Sequence, residues 1–228
     1  VPTANPDGLD GGVLYYDGQF DDARLALALA RTAADLGAVV LNYTACVGLT
    51  KTEGRINGLV IRDEEDGAEI SVPARVVVNA TGPWVSSLFG ESLSMPAPKQ
   101  IRMVKGSHIV VPRLNQDTEA YILQNQDERI VFVIPYEDRF SLIGTTDVDY
   151  VGDPSQARIS PEETDYLLSI VNQYFRRQLS ANDVVWSYSG VRPLMDDEGG
   201  TAQSASRDYS FEVDDEDSLP PLISVFGG

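Results

Sequence analysis

Ala74-Arg75-Val76-Val77-Val78-Asn79-Ala80-Thr81-Gly82-Pro83-Trp84 is a β-branched run that breaks directly into a glycine turn. An apolar strand of this kind reads as buried, and the turn then presents backbone amides at the carboxyl end of a sheet, where open α/β folds bind ligands. The same stretch also fits a purely structural strand-to-loop transition, and its residues alone do not choose between the two. Upstream, Asp21 or Asp22 is placed to cap a helix running to Leu36. Leu25, Leu29, Ala33 and Leu36 recur at helical spacing before Gly37, which predicts an amphipathic helix packed on a sheet. Val13 to Tyr16 reads as a short strand, Val39 to Leu41 as a buried one, and Ala45 to Leu49 as another. Ile56 to Arg62 and Glu69 to Val72 read as the arms of a hairpin turning through the acidic segment 63–68.

Beyond the stiff segment Met95-Pro96-Ala97-Pro98, which suits a domain crossover, the pattern changes to short strands. They fall at Ser107 to Val111, Ala120 to Gln124, Ile130 to Pro135, Phe140 to Gly144, Val184 to Tyr188 and Tyr209 to Val213, a spacing that predicts a mostly antiparallel sheet. One strong helix interrupts them. Ser160-Pro161-Glu162-Glu163 is a capping box with proline at the first helical position, and Leu167, Val171, Tyr174 and Phe175 form the stripe to be buried. Arg176 and Arg177 close it, where cations suit the helix dipole. Thr145-Thr146-Asp147-Val148-Asp149 lacks the glycine and glutamate of a calcium loop and is expected to be a turn at the sheet's edge.

The chain has 228 residues, 43% of them hydrophobic and 23% charged, enough to bury one large core or two smaller ones. Its formal net charge of −18 excludes a nucleic-acid partner, which needs a basic footprint, and gives no long-range attraction for an anionic substrate. Any phosphate or carboxylate has to be captured locally, by a few placed arginines. Cys46 is the single cysteine, so neither an intrachain disulfide nor a cysteine metal cluster can form, and no metal site is expected. No apolar run approaches the ~20 residues of a spanning helix, and no secretory leader is expected at the start. A Gly-x-Gly-x-x-Gly dinucleotide fingerprint is absent from the sequence. The last residues, Val225-Phe226-Gly227-Gly228, read as an apolar strand entering a phosphate-type loop, so the chain is expected to continue.

Only one histidine is present. His108 sits in Lys105-Gly106-Ser107-His108-Ile109-Val110-Val111-Pro112, beside a strand-like apolar run, and any near-neutral proton transfer by imidazole falls to it. A lone imidazole in this setting fits a packed structural histidine as well as a base. Ser189-Gly190-Val191-Arg192-Pro193-Leu194 and Ser206-Arg207-Asp208-Tyr209 each set one arginine beside turn-forming residues, which suits a fixed cation.

Taken in order, Tyr16-Asp17-Gly18-Gln19-Phe20-Asp21-Asp22-Ala23-Arg24, Val78-Asn79-Ala80-Thr81-Gly82-Pro83-Trp84, Lys105-Gly106-Ser107-His108, Ile143-Gly144-Thr145-Thr146-Asp147, Ser189-Gly190-Val191-Arg192-Pro193 and Val225-Phe226-Gly227-Gly228 form a set. The set closely resembles the bacterial FAD-dependent glycerol-3-phosphate dehydrogenases of the aerobic respiratory type, within the D-amino-acid-oxidase-like flavoprotein group. The resemblance implies a mixed α/β (α+β) fold. A partial Rossmann-like FAD domain, residues 1–94, would join an antiparallel-sheet substrate domain, residues 95–218, and residues 219–228 would return as a strand to the FAD domain.

It also implies an activity. Glycerol 3-phosphate would be oxidised to dihydroxyacetone phosphate, with hydride passing to FAD and electrons to a membrane quinone. The whole enzyme would lie in the cytoplasm against the inner membrane, and a homo-oligomer is open. By position, His108 would be the base, Arg192 and Arg207 would hold the substrate phosphate, and Ala80, Thr81 and Gly82 would form the turn approaching the flavin. Val47 would lie on the strand passing the adenine. The family's glycine fingerprint would precede Val1 and a lysine-containing loop would follow Gly228, so the isolated chain is expected to bind FAD weakly or not at all and to be inactive. Two alternatives stand beside this reading: a glycerol-3-phosphate oxidase that uses oxygen and, for the isolated chain, a non-catalytic module binding a phosphate-bearing ligand. Unpaired apolar strand edges would favour self-association.

Overall fold

The computed structural model describes residues 4–5, 7, 9–53, 55–90, 96–195, 208–214 and 222–227. In chain order the elements are helix α1 (Asp22–Asp35), strands β1 (Thr44–Thr52), β2 (Arg55–Asp63), β3 (Glu69–Pro73), β4 (Val77–Asn79), β5 (Ile101–Pro112), β6 (Tyr121–Gln124), β7 (Ile130–Tyr136), β8 (Phe140–Gly144) and β9 (Val148–Asp149). Helix α2 (Pro161–Tyr174), β10 (Trp186–Met195), β11 (Tyr209–Asp214) and β12 (Leu222–Gly227) follow. Among the described residues the strands make three sheets: β1-β2-β3, then β10-β5-β8-β7-β6 with β9 paired to β5, then β11-β12-β4.

The large sheet and α2 are built on one core. Ser160 caps the helix by accepting from the Glu163 amide, while the Glu163 carboxylate accepts from the Ser160 amide. Fourteen residues are marginal as an isolated helix, so tertiary burial has to stabilise it. Leu167, Leu168, Ile170 and Val171 supply that burial against Ile109 and Val111 of β5, Leu123 of β6, Val131 and Val133 of β7 and Ile143 of β8. Each such side chain contributes roughly 1.5–3 kcal/mol when removed from water. Phe175, just past the helix, is buried in the same cluster and meets Tyr121 edge-on with ring centroids 5.2 Å apart.

Helix α2 covers one face of that sheet. On the other face Ile122, Phe132, Gly144, His108 and Tyr188 stand opposite one another in register across β6, β7, β8, β5 and β10. Directly paired residues share a face, so these five form a single row. Ile122, Phe132 and Tyr188 are each more than a third exposed, as are Ile130 and Trp186 beside them. The result is an open, largely apolar platform.

The third sheet joins distant parts of the chain. β12 runs parallel to β4, with Leu222 opposite Val77 and Ser224 opposite Asn79, and β11 pairs antiparallel to β12. Val77, Leu222 and Phe226 pack with Ile56, Val85 and Phe89 into a second core. The turn at Gly82 does follow a strand of a parallel pair, but that strand is only Val77–Asn79 and is covered on one face: Val76 and Val78, expected to be buried, are exposed.

Three further expectations fail in this part of the molecule. Helix α1 forms between its Asp21 cap and Gly37, which adopts φ +96°, but none of its residues is buried. Leu25, Leu29 and Leu36 stay exposed, so the stripe read as packing on a sheet meets no core among the described residues. Val13 to Tyr16 and Val39 to Leu41 are exposed and are not strands. Local periodicity and caps specify a helix, whereas a strand also needs a neighbour to satisfy its amides and carbonyls. No helix among the described residues is long and apolar enough to cross a membrane.

Candidate active site

The site is set by the pairing of β5 with β10. His108 lies opposite Tyr188, Gly106 opposite Gly190 and Val104 opposite Arg192, so His108, Tyr188 and Arg192 share the face turned away from α2. Alternation sends Lys105, Ser107 and Ile109 to the other face. Ser189 to Leu194, whose serine, glycine and proline suggest a turn, lies within β10, so Arg192 is held on a strand.

The imidazole of His108 is sandwiched. Its ring stacks on Tyr188 with centroids 4.9 Å apart and planes 8° from parallel. On the other side it lies flat over Gly144 of β8, where a Cβ would come within 2.1 Å of its Cδ2. Only glycine leaves room for that ring. Nδ1 is buried with no hydrogen-bond partner among the described residues, which makes Nε2 the candidate for proton exchange. Burial and then the nearby Arg192 guanidinium push the His108 pKa down to about 4, with Asp22 acting weakly the other way. In place of an imidazole titrating near its ordinary value, the fold holds one that stays neutral well into the acid range.

Arg192 reaches along the same face and covers Gly106. A Cβ on Gly106 would lie 2.8 Å from Nη2 and 3.1 Å from Cζ of Arg192, and 2.7 Å from Oγ1 of Thr145. Nη1 of Arg192 donates to Oδ1 of Asp147 at 2.5 Å, and Nη2 lies 3.4 Å from Oγ1 of Thr145. Opposite, Gly190 has nothing within 4 Å of where its Cβ would stand. A guanidinium and a neutral imidazole thus flank a glycine floor that is open over Gly190.

The floor is braced from behind. Segment 145–147, expected to be a plain edge turn, is tied into a buried network. The Thr146 hydroxyl accepts from the Ser107 amide at 3.0 Å and donates to Oε1 of Glu163 at 2.7 Å. The Ser107 hydroxyl also bonds Glu163 and is 2.9 Å from the Ser189 hydroxyl, while Lys105 Nζ pairs with Oε2 of Glu163 at 2.7 Å and donates to the Arg158 carbonyl. Burial alone would raise the Glu163 carboxyl. The Lys105 ammonium, the Ser160 amide and the two hydroxyls outweigh it and hold that carboxyl below the ordinary glutamate range.

The other sequence candidates lie at the end of β4. Ala80 and Thr81 are exposed, and Gly82 adopts φ +57° with open space where a Cβ would stand. Buried Asn79 shapes the turn, accepting from the Thr81 hydroxyl at 2.7 Å and donating to the Val85 carbonyl at 3.0 Å. The turn packs against β10, the strand of Tyr188 and Arg192. Val47 is part exposed on β1, in a different sheet from that turn. Arg207 lies outside the described residues.

The fold therefore brings His108 and Arg192 to one face and sets the 80–82 turn beside their strand. Sequence reading missed Tyr188, Gly106, Gly144, Gly190 and Asp147. Glycines inside strand patterns were the available signal, since they mark close approach by another group.

Comparison with known proteins gives a consistent relationship. The model of the FAD dependent oxidoreductase family matches residues 1–212. The chain is 50% identical over 220 residues to the aerobic glycerol-3-phosphate dehydrogenase of Escherichia coli (strain K12), covering 95% of this chain and 43% of that protein. It is 40% identical over 231 residues to D-erythritol 1-phosphate dehydrogenase of Brucella abortus (strain 2308), covering 100% of this chain and 45% of that protein. Among solved structures, the glycerol-3-phosphate dehydrogenase from Bacillus halodurans complexed with FAD superposes with a TM-score of 0.83 at 33% identity, covering 100% of this chain and 43% of that one. The chain spans less than half the length of these relatives.

Proposed function

The chain belongs to the FAD dependent oxidoreductase family, and on that premise we propose that it is the central part of an enzyme that oxidises glycerol 3-phosphate to dihydroxyacetone phosphate. The observation that carries the proposal is the pairing of one neutral imidazole with one guanidinium across a glycine floor. Residues 1–94 and 219–228 form the cofactor side of this reading and residues 95–218 the substrate side.

The residues present fit a flavin. The open turn at Ala80, Thr81 and Gly82 offers backbone amides at a strand end, Gly82 leaves room for close approach, and the exposed row through Phe132 and Tyr188 suits a planar ring. Val47 is assigned to the adenine side. When bound, FAD supplies the acceptor for hydride from the secondary carbinol carbon.

The chain's own residues do the rest. Arg192, with Arg207 assigned to the same task, binds the phosphate through charge-assisted hydrogen bonds and fixes which carbon lies over the floor. His108, already neutral, takes the hydroxyl proton at Nε2, and a bound dianion near Arg192 offsets the charge that depresses its basicity. Stacking on Tyr188 and seating on Gly144 hold the ring in one orientation, so the proton is removed along a fixed line. By the family resemblance, a quinone would be the final electron acceptor and the whole enzyme would lie peripheral to the cytoplasmic face of the inner membrane.

The test is a dye-reduction assay on the whole protein with glycerol 3-phosphate, glycerol and D-erythritol 1-phosphate as substrates. Turnover with glycerol 3-phosphate and none with glycerol is expected. Equal rates with both would remove the phosphate from the recognition and sink the proposal, and a preference for the four-carbon phosphate would reassign the substrate. Oxygen consumption with peroxide release, in place of quinone reduction, would move the enzyme to the oxidase class.

A further inference from the structure

We infer that Asp147 is the positioning residue of the phosphate site: it grips the Arg192 guanidinium by one edge and so presents the remaining donors to the open floor beside Gly190. The inference rests on the reading of Arg192 as the phosphate-binding cation.

An arginine on an exposed sheet face has substantial rotamer entropy to lose before it can hold a ligand in one geometry. Arg192 has lost much of it in advance. Its Nη1 is committed to Oδ1 of Asp147 at 2.5 Å, and Thr145 stands 3.4 Å from Nη2. Asp147 is held in place by its neighbours on both sides and is itself largely shielded from water. It follows Thr146, whose hydroxyl is fixed by the Ser107 amide and by Glu163. It precedes Val148, which pairs with Lys105 of β5. Its side chain is only 15% exposed, against 32% for Arg192, so water competes weakly for the carboxylate.

The chain of support therefore runs from the α2 cap through Glu163, Thr146 and Asp147 to the guanidinium. Gly106 completes it by leaving the space the guanidinium occupies. A surface ion pair kept only for stability contributes little and would affect melting alone. A positioning pair acts on ligand binding. The carboxylate's own charge opposes a phosphate dianion, so its hydrogen-bonding geometry, and not its charge, is what the site uses. That separates the two effects by substitution: asparagine keeps the Oδ1 acceptor and removes the charge, whereas alanine removes both.

The experiment compares wild type, Asp147→Ala, Asp147→Asn, Arg192→Ala and the Asp147→Ala/Arg192→Ala double variant in the whole protein. It reads KM and kcat for glycerol 3-phosphate, the inhibition constant of inorganic phosphate, and the melting temperature. Asp147→Ala is expected to raise KM and the phosphate inhibition constant together by ~10-fold or more, with kcat changed less than ~3-fold, as loss of one charge-assisted bond implies. Asp147→Asn should restore both constants to within ~3-fold of wild type, and Asp147→Ala should add nothing once Arg192 is gone. The inference is overturned if Asp147→Ala leaves KM unchanged or lowers it, if asparagine behaves as alanine does, or if the two substitutions are additive. An unchanged KM for Arg192→Ala overturns the underlying phosphate-site reading as well, whereas a raised KM for Arg192→Ala with none for Asp147→Ala overturns only the positioning role. Should Asp147→Ala fail to fold, the asparagine variant decides alone: a KM ~10-fold above wild type counts against the inference and one near wild type supports it.

Discussion

Replacing Gly106 with alanine puts the geometry of the floor to a demanding test. The new Cβ would stand 2.7 Å from Oγ1 of Thr145, 2.8 Å from Nη2 and 3.1 Å from Cζ of Arg192. All three are side-chain atoms, and no backbone atom is among the nearest neighbours, so the strand can accept the methyl and the guanidinium has to give way. Restoring ordinary contact needs a shift of more than about half an ångström, which breaks alignment with both Asp147 and a bound anion. Losing a charge-assisted hydrogen bond costs about 1.5–3 kcal/mol, equivalent to a ~10- to 150-fold rise in KM. The assay is steady-state oxidation of glycerol 3-phosphate by the whole protein, with kcat expected within a few-fold of wild type because His108 stays in place. Melting temperature should hold or rise slightly, since alanine in a strand restricts the unfolded chain. An unchanged KM would refute the placement of Arg192 in the phosphate site, and unfolding would refute the claim that only side chains obstruct the methyl.

Three further outcomes are expected. His108→Asn should lower kcat by ~10²–10⁴-fold with little effect on phosphate inhibition, and near wild-type turnover would make the imidazole structural; in the wild type, kcat/KM should fall only as pH drops toward about 4, where His108 charges in the free enzyme. Glu163 has a depressed folded-state pKa, so its contribution to stability is present above the unfolded value of ~4.3 and is lost as pH falls through the folded value. Glu163→Gln should therefore melt lower at neutral pH, by several kcal/mol of lost pairing to buried Lys105, and lose less on acidification than wild type; parallel curves for the two proteins would contradict the assignment. The isolated chain, with α1, Val39 to Leu41 and the outer side of β11 exposing apolar residues, should self-associate, and a monodisperse monomer by light scattering at micromolar concentration would count against that.

The parts of the fold legible in the sequence are those specified locally. The capping box at Ser160 named α2 and its buried stripe, and the acidic turn at 63–68 named the β2–β3 hairpin. β10 was cut short at Tyr188 because Gly190 and Pro193 look like strand breakers. It continues to Met195 because it is an edge strand of its sheet, where a proline without an amide can be tolerated. β5 was read from Ser107 although it begins at Ile101, since Lys105 and Gly106 interrupt the apolar run. Lys105 is buried only because Glu163 reaches it from a helix more than fifty residues on, and no local pattern records such a pairing.

The candidate site was legible as residue types and not as an arrangement. Scarcity marks His108 and family resemblance marks Arg192, but the strand pairing that brings them to one face appears only in the fold. Asp147 was read as part of a plain turn. Its role depends on contacts with Arg192 across the sheet, and the flanking Thr146 on contacts with α2. The stacking of Tyr188 on His108 likewise follows from register between two strands eighty residues apart.

The most direct measurement is anaerobic mixing of the whole, FAD-loaded protein with glycerol 3-phosphate while flavin absorbance is followed. Bleaching of the oxidised flavin band by glycerol 3-phosphate, slowed by ~10²-fold or more in His108→Asn and shifted to higher substrate concentration in Arg192→Ala, is the predicted result. A flavin that stays oxidised with glycerol 3-phosphate, or is bleached equally well by unphosphorylated glycerol, would contradict the account.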